Sequence, residues 1–314
     1  MAAEETRCGF CAIIGPTNAG KSTLLNTLAG SKLAIVSHKV QTTRSRIRAI
    51  VIEGRSQIIF VDTPGIFRAR RRLDEAMVED AWAGAAEADL RLLVADVRRG
   101  LDEDAMSMIA VLAERSVRTD LVLNKIDLMK RDQLLALSAE FNAAFPFGAT
   151  FMVSATSGSG VDDLRRHVAA LMPEGHWLYP EDQLADAPLR FLAAEITREA
   201  LYERLHQELP YESTVETEGW QEKQDGSVRI EQVIFVARDG QKKIVLGKAG
   251  QTIKAIGAAA RAQLEDVLER RVHLFLFVKV RPNWEEDPER LRAIGLDPKG
   301  ARKAIERWSG AKRA

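Results

Sequence analysis

Cysteine is nearly absent from this 314-residue chain, which holds only Cys8 and Cys11. A disulfide-stapled secreted scaffold is therefore excluded. A CxxC pair does redox chemistry when it sits at a helix N-terminus, and a structural zinc site needs two further ligands nearby. Here the pair lies in "CGFCAII", which reads as a strand, where residues three apart point to opposite faces. Two buried, reduced thiols are expected, as in a cytoplasmic protein. Long hydrophobic runs are missing too. Stretches such as "VHLFLFV" at 272–278 fall far short of the roughly 20 residues a membrane-crossing helix needs. The opening "MAAEETR" is acidic and has no apolar signal core, so secretion is not expected. Net charge is also lacking, since 45 Lys/Arg balance 45 Asp/Glu. The balance hides a division: residues 240–314 carry 17 Lys/Arg against 9 Asp/Glu, and the first 239 residues are acidic by the same margin. A basic C-terminal part suits a polyanionic partner, although a solvated surface would carry the same charge.

What is present is the composition of a soluble globular protein, 46% hydrophobic and 29% charged, at a length that exceeds one hydrophobic core and predicts two domains. From residue 7 to about 172, apolar runs alternate with helical patterns, as in a doubly wound sheet of βαβ units. "IRAIVIEG" and "SQIIFVDTP" read as a hairpin through Gly54, and "DLRLLVADV", "TDLVLNKID" and "ATFMVSAT" as three further strands, each ending in polar residues. In such a sheet the carboxyl ends of the strands meet the ligand. Residues 173–188, "PEGHWLYPEDQLADAP", hold three prolines and no sustained period, and read as a linker. Beyond it the expected order is αββααβ: a helix at about 188–208, strands at about 212–223 and 228–238, a short and a long helix around a glycine-bracketed turn, and the strand "RVHLFLFVKV". A short helix and a basic tail are expected after that. No internal repeat is visible.

The first of these strands runs into "GPTNAGKS", which matches GxxxxGK[ST] at Gly15, Gly20, Lys21 and Ser22. A chain of this length carries that pattern by chance roughly once in a hundred, and the flanking strand and helix strengthen it. Backbone N–H groups and the helix N-terminus would hold the α- and β-phosphates of a nucleotide, with Asn18, Ala19 and Thr23 completing the cradle. Lys21 would reach the β- and γ-phosphates, and Ser22 would give its hydroxyl to Mg²⁺. "VDTPG" at 61–65 ends the next candidate strand. Asp62 there is placed to hold Mg²⁺ through the metal's water shell, and the Gly65 N–H to meet the γ-phosphate. "NKID" at 124–127 closes another strand. A carboxylate at Asp127 accepts the N1–H and N2–H of guanine, a pairing that adenine does not offer. Asn124 would brace the loops, and the stem of Lys125 would cover the base. "SAT" at 154–156 ends the last strand, so Ser154 and Ala155 fall beside the base, with the Ala155 N–H aimed at the guanine O6.

In this order the four elements resemble the translation-factor-related GTPases. In "QTTR" at 41–44 the resemblance implies a first-switch threonine that contacts Mg²⁺ in the triphosphate state. Of the adjacent Thr42 and Thr43, the expectation falls on Thr43. Lys21, Thr43 and Gly65 are thus the residues expected to act on the γ-phosphate. Ile66 stands where Ras-like enzymes carry a water-orienting glutamine, so slow intrinsic hydrolysis is expected. His38 reads as a solvated loop residue. The resemblance also implies a K⁺ ion beside Asn18.

In the second half, "VLGKAGQTIK" places GKAG between a short helix and a long one. Within αββααβ order this matches the KH module, of type II, whose GxxG turn lets a single-stranded nucleic-acid backbone approach closely. Gly247, Lys248, Ala249 and Gly250 form the turn. Ile244, Val245 and Ile253 would line the apolar side of the groove, a reading that overlaps with plain core packing. Lys242, Lys243, Lys248 and Lys254 are the phosphate partners, or solvated surface charges.

A P-loop GTPase joined to a KH domain, with "RPNWEEDPERLRAIGLD" after the last strand, resembles the Era family from about residue 7 to 297. The fold class expected is an α/β P-loop GTPase domain with a mixed, mostly parallel sheet at 1–172, a linker at 173–188, a type II KH domain at 189–297 and a basic tail at 298–314. The resemblance implies GTP/GDP and Mg²⁺ as ligands, small-subunit ribosomal RNA near its 3′ end as partner, and a role in small ribosomal subunit assembly. It further implies a cytoplasmic protein with peripheral contact to the inner face of the cell membrane, although no anchor is visible; a monomer is expected. An arginine-rich second switch, "IFRARRRLDEA", and the longer basic tail depart from the family pattern. Two other readings are weaker: an RNA-binding protein with nucleotide as a structural ligand, and a GTPase serving RNA modification, for which no modification domain remains.

Overall fold

In the computed structural model, the described residues are 6–36, 47–63, 77, 81, 83–113, 118–181, 183, 185–186, 188–205, 209–210, 212–282, 284 and 287. Thr43, Gly65, Ile66, His38, the "QTTR" stretch, the arginine-rich segment and the tail lie outside them.

The chain divides into two compact units, with the main division between Asp186 and Ala187. The first unit is built on β1 (Arg7–Ile14), β2 (Ile47–Glu53), β3 (Ser56–Asp62), β4 (Leu90–Asp96), β5 (Thr119–Asn124) and β6 (Thr150–Val153). The sheet order is β2-β3-β1-β4-β5-β6. Only β2 runs antiparallel to its neighbour. The hairpin that reverses it turns at Gly54, whose φ of 58° favours a residue without Cβ. Because β1, β3, β4, β5 and β6 are parallel, their carboxyl ends share one edge of the sheet. Helices α1 (Lys21–Ala29), α2 (Glu103–Ala113), α3 (Arg131–Ala144) and α4 (Val161–Leu171) follow β1, β4, β5 and β6. Every residue of β3, β4 and β5 is buried, as expected of parallel strands covered on both faces. Leu93, Ala95, Leu121 and Leu123 pack with Met108, Ile109, Leu134 and Phe141 in one core. Cys8 and Cys11 are both buried and free.

Residues 173–186 belong to this first unit. Their prolines rule out a regular element, but the segment is tied to the start of β1, where the Cys8 N–H donates to the Pro173 carbonyl, and meets the outer edge of β2 at Ala185. Gln57, fully buried in β3, is the main fastening. Its Oε1 accepts the N–H groups of Leu178 and Tyr179 at 2.8 and 3.0 Å, and its Nε2 donates to the Tyr179 carbonyl at 2.8 Å. At the far end Arg48 pairs with Asp186 at 3.1 Å, and Ala49 forms a bridge to Ala185.

In the second unit α5 (Leu189–Arg204) is followed by β7 (Ser213–Glu222), β8 (Val228–Val236), α6 (Asp239–Leu246), α7 (Gln251–Leu268) and β9 (Val272–Val280). This is the αββααβ order, with strand order β7-β8-β9, β7 antiparallel and β9 parallel to β8. The first helix starts where the sequence pattern suggests and ends at Arg204. Leu201, Tyr202, Val215, Ile234, Val236, Val245, Ile256 and Ala260 form the core between helices and sheet. Val245 is fully buried there, so it is a core residue and lines no groove.

Replacing Gln57 by Ala strands two N–H groups and a carbonyl and is expected to cost about 1–3 kcal/mol. Urea unfolding should show the loss, and chymotrypsin should cut faster near Trp177–Tyr179. Unchanged cleavage would mean that the segment is held by other contacts.

Candidate functional site

The ends of β1, β3, β4, β5 and β6 bring Gly15, Asp62, Asp96, Asn124 and Ser154 to the same edge of the sheet. The loop after β1 is shaped by two glycines that tolerate no side chain. A Cβ on Gly15 would lie 2.4 Å from the Val94 carbonyl oxygen, and one on Gly20, whose φ is +92°, would lie 2.3 Å from Asn124 Nδ2. Asn18 between them takes a φ of 62°, a conformation that asparagine adopts more readily than most residues. The loop then opens α1 with Lys21, Ser22 and Thr23.

Lys21 is buried, and its Nζ donates to the carbonyls of Gly15 and Pro16 at 3.1 and 3.0 Å. Burial pushes its pKa down to about 8, against a smaller upward pull from Asp62. Ser22 Oγ donates to Asp62 Oδ2 at 2.8 Å, and Thr63 Oγ1 fastens the end of β3 to the Ile13 carbonyl at 2.8 Å. A serine hydroxyl and a carboxylate in contact are hard oxygen donors of the kind that Mg²⁺ takes alongside phosphate and water.

Asn124, 1% exposed, joins three loops. Its Nδ2 donates to the Ala19 carbonyl at 2.9 Å, while its Oδ1 accepts the Lys125 N–H at 2.8 Å and the Ala155 N–H at 3.0 Å. This is the bracing that the sequence suggested, with one correction. The Ala155 N–H, expected to point at a base carbonyl, is held by Asn124 instead. The Ala155 carbonyl is fixed as well, accepting from Thr27 Oγ1 at 2.7 Å. Ser154 is buried, and its Oγ lies 3.2 Å from Thr156 Oγ1.

Lys125 takes a φ of 67° and starts the short 3₁₀ turn Ile126–Leu128, which leaves Asp127 exposed. The Lys125 ammonium donates to the Asn18 carbonyl at 2.6 Å and to Asp96 Oδ2 at 2.7 Å. Burial alone would raise the Asp96 pKa, but hydrogen bonds from Arg98 and Lys125 hold it below the usual carboxylate value. The sequence reading missed Asp96. Its signal was the aspartate at the end of "LLVAD", at the same sheet edge as the other motifs.

In the second unit, the GxxG turn joins α6 to α7. A Cβ on Gly247 would meet Thr252 Oγ1 at 2.1 Å, so this glycine is needed for close packing inside the turn. Gly250, with φ +75°, faces open space. Ala249 sits at a φ of 50°, a strained choice for a residue with Cβ. Lys243, Lys248 and Lys254 are exposed and Lys242 is half-buried. Ile244 is 58% exposed, while Ile253 packs against the core from its edge. Three of the four non-glycine residues with positive φ among those described, Asn18, Lys125 and Ala249, thus lie in predicted functional loops.

A family model described as 50S ribosome-binding GTPase matches residues 10–125, and one described as KH domain matches 208–285. GTPase Era of Afipia carboxidovorans is 62% identical over 295 residues, which cover 94% of this chain and 96% of that protein. The chain belongs to the Era family of GTPases. GTPase Era of Agrobacterium fabrum is 60% identical, covering 94% and 93% of the two chains. Among solved structures, Era in complex with MgGDPNP and nucleotides 1506–1542 of 16S ribosomal RNA matches with a TM-score of 0.88 at 36% identity, covering 92% of this chain and 99% of its own. A single-residue variant of Aquifex aeolicus Era bound to GDP and AlF4⁻ matches with the same score and coverage. The fold common to the family is therefore present here: a P-loop GTPase domain followed by a KH domain. No helix among the described residues is long and apolar enough to cross a membrane.

Without nucleotide, the buried Lys21 charge works against folding. Below pH 8 it is carried in both folded and unfolded states and the desolvation cost is complete. From about pH 8 to 10.5 the folded state has already lost the proton, and above 10.5 the cost is gone. Lys21→Met should therefore be the more stable protein at pH 7, by urea unfolding without nucleotide, and its advantage should shrink as pH rises from 8 to 10.5. An advantage that grew over this range would contradict the assignment.

Proposed function

We propose that this protein is a GTP-hydrolysing switch that binds small-subunit ribosomal RNA near its 3′ end and acts in assembly of the small ribosomal subunit. The observation that carries the reading is Asn124, which ties the phosphate loop to both base-facing loops at one sheet edge. Phosphates dock on the N–H groups of the loop from Gly15 through Asn18, Ala19 and Gly20 and of the helix start at Lys21, Ser22 and Thr23. Lys21 exchanges its two loop carbonyls for phosphate oxygens. Ser22 would hold Mg²⁺ by its hydroxyl and Asp62 through the metal's water shell, with Thr43 joining them in the triphosphate state and Gly65 meeting the γ-phosphate. The metal supplies neutralisation of phosphate charge. Asp127 reads the guanine N1–H and N2–H, with Lys125 across the loop and Ser154 and Ala155 framing the base. With isoleucine at position 66, hydrolysis proceeds by positioning and charge neutralisation and is slow. A K⁺ ion beside Asn18 is part of the proposal, tested by comparing turnover in potassium and sodium.

RNA backbone packs on the GxxG turn at Gly250, where a Cβ would meet nothing within 4 Å. Lys242, Lys243, Lys248 and Lys254 meet phosphates, and Ile244 and Ile253 meet bases. We take residues 1–172 as the GTPase domain, 189–297 as the RNA-binding domain and 298–314 as a basic tail, in a monomeric cytoplasmic protein with peripheral contact to the inner membrane face.

Asp127→Asn replaces an acceptor by a side chain that also donates. GDP affinity should fall by a factor of about 10³ or more, with xanthosine diphosphate binding gained, because xanthine offers a C2 carbonyl where guanine offers an amine. Phosphate release by the unsubstituted protein should rise on addition of RNA from the 3′ end of the small-subunit RNA, and RNA affinity should differ between GDP and a GTP analogue. RNA affinity independent of nucleotide, without turnover, would favour a plain RNA-binding protein.

A further inference from the structure

Asp96 occupies an unusual place for a residue outside the four nucleotide motifs. It ends β4 between the phosphate loop and the loop after β5, and its side chain is 3% exposed. A carboxylate so buried is costly unless its charge is met by donors. Here Oδ2 accepts Lys125 Nζ at 2.7 Å and Arg98 Nη2 at 3.1 Å, while Oδ1 accepts the Arg98 N–H at 3.0 Å. Lys125 needs such an anchor. A lysine stem has considerable rotamer entropy to lose, and the Asn18 carbonyl alone leaves it one neutral acceptor. With a carboxylate on one side and that carbonyl at 2.6 Å on the other, the ammonium is fixed across the phosphate loop. Its Cε passes 3.7 Å from where a Cβ on Gly20 would stand. The same carboxylate draws in Arg98, which also feels the charge of Asp127.

We infer that Asp96 is a positioning residue for guanine recognition, acting through Lys125: it holds the lysine stem over the loop so that the base docks against a preformed surface beside Asp127. The inference rests on the guanine-nucleotide reading above and adds a residue to that site.

The test is a double-mutant cycle read by GDP titration and by GTP turnover. Asp96→Asn keeps the shape and removes the charge. It should weaken GDP about tenfold, the scale of one hydrogen bond to a charged group. KM for GTP should rise by a similar factor with kcat nearly unchanged, since Lys21, Ser22 and Asp62 are untouched. In Lys125→Ala the Asp96→Asn change should add nothing further. A merely structural aspartate would give additive losses, or a fall in stability with affinity unchanged, and either result would overturn the inference. If Asp96→Asn does not fold, Asp96→Ser is read in the same cycle with the same two outcomes. Failure of the unsubstituted protein to bind GDP is a different result, which would overturn the guanine-nucleotide reading itself.

Discussion

The nucleotide-facing edge of the first unit depends on one buried amide. Asn124 spends both ends of its side chain on backbone: a donor to the phosphate loop, and an acceptor shared by its own successor and by the loop after β6. Three loops that are far apart in sequence are thereby fixed by a group with no charge to desolvate. Hydrogen bonds of this kind, made in a dry environment, are costly to leave unmade. Gly20 follows from the same constraint, since any Cβ there would collide with the asparagine nitrogen. So does the left-handed backbone of Lys125, which turns Asp127 outward while the Lys125 ammonium reaches back to the phosphate loop.

Charge is distributed around this neutral staple. Lys21 is held, desolvated, on two carbonyls of the loop it serves. It is thus a cation kept from solvent, with its pKa lowered by that burial, which is the condition under which an arriving phosphate gains most. Asp62 and Asp96 end β3 and β4, the two strands that flank β1, one beside Ser22 and one beside Lys125. The sheet order thus places the two carboxylates on opposite sides of the loop that follows β1. The second unit uses the same backbone device for another polyanion. Its GxxG turn has one glycine forced by close packing against Thr252 and another that opens outward, so the two glycines of the motif answer to different constraints.

Much of this was legible in the sequence because periodicity and turn chemistry are local. Continuous apolar runs ending in Asp62, Asp96 and Asn124 announce buried parallel strands, and the glycine spacing of "GPTNAGKS" and "GKAG" announces the backbone conformations found. What was not legible depends on packing between distant segments. For Val245 the sequence leaves groove and core both open, and it is core because α6 presses it onto the sheet. The Ala155 N–H reads as free and is claimed by Asn124. Residues 173–188 read as a linker because three prolines break any period. Their fastening to the first unit depends on Gln57, unremarkable in sequence, which turns a buried amide toward Leu178 and Tyr179.

The claim that a single staple makes one site of three loops is tested most directly by calorimetric titration of Asn124→Ala with GDP in magnesium buffer. The variant should still unfold cooperatively but bind GDP at least about a hundredfold more weakly, since two or more buried hydrogen bonds are lost at once. A folded variant with unchanged affinity would contradict it.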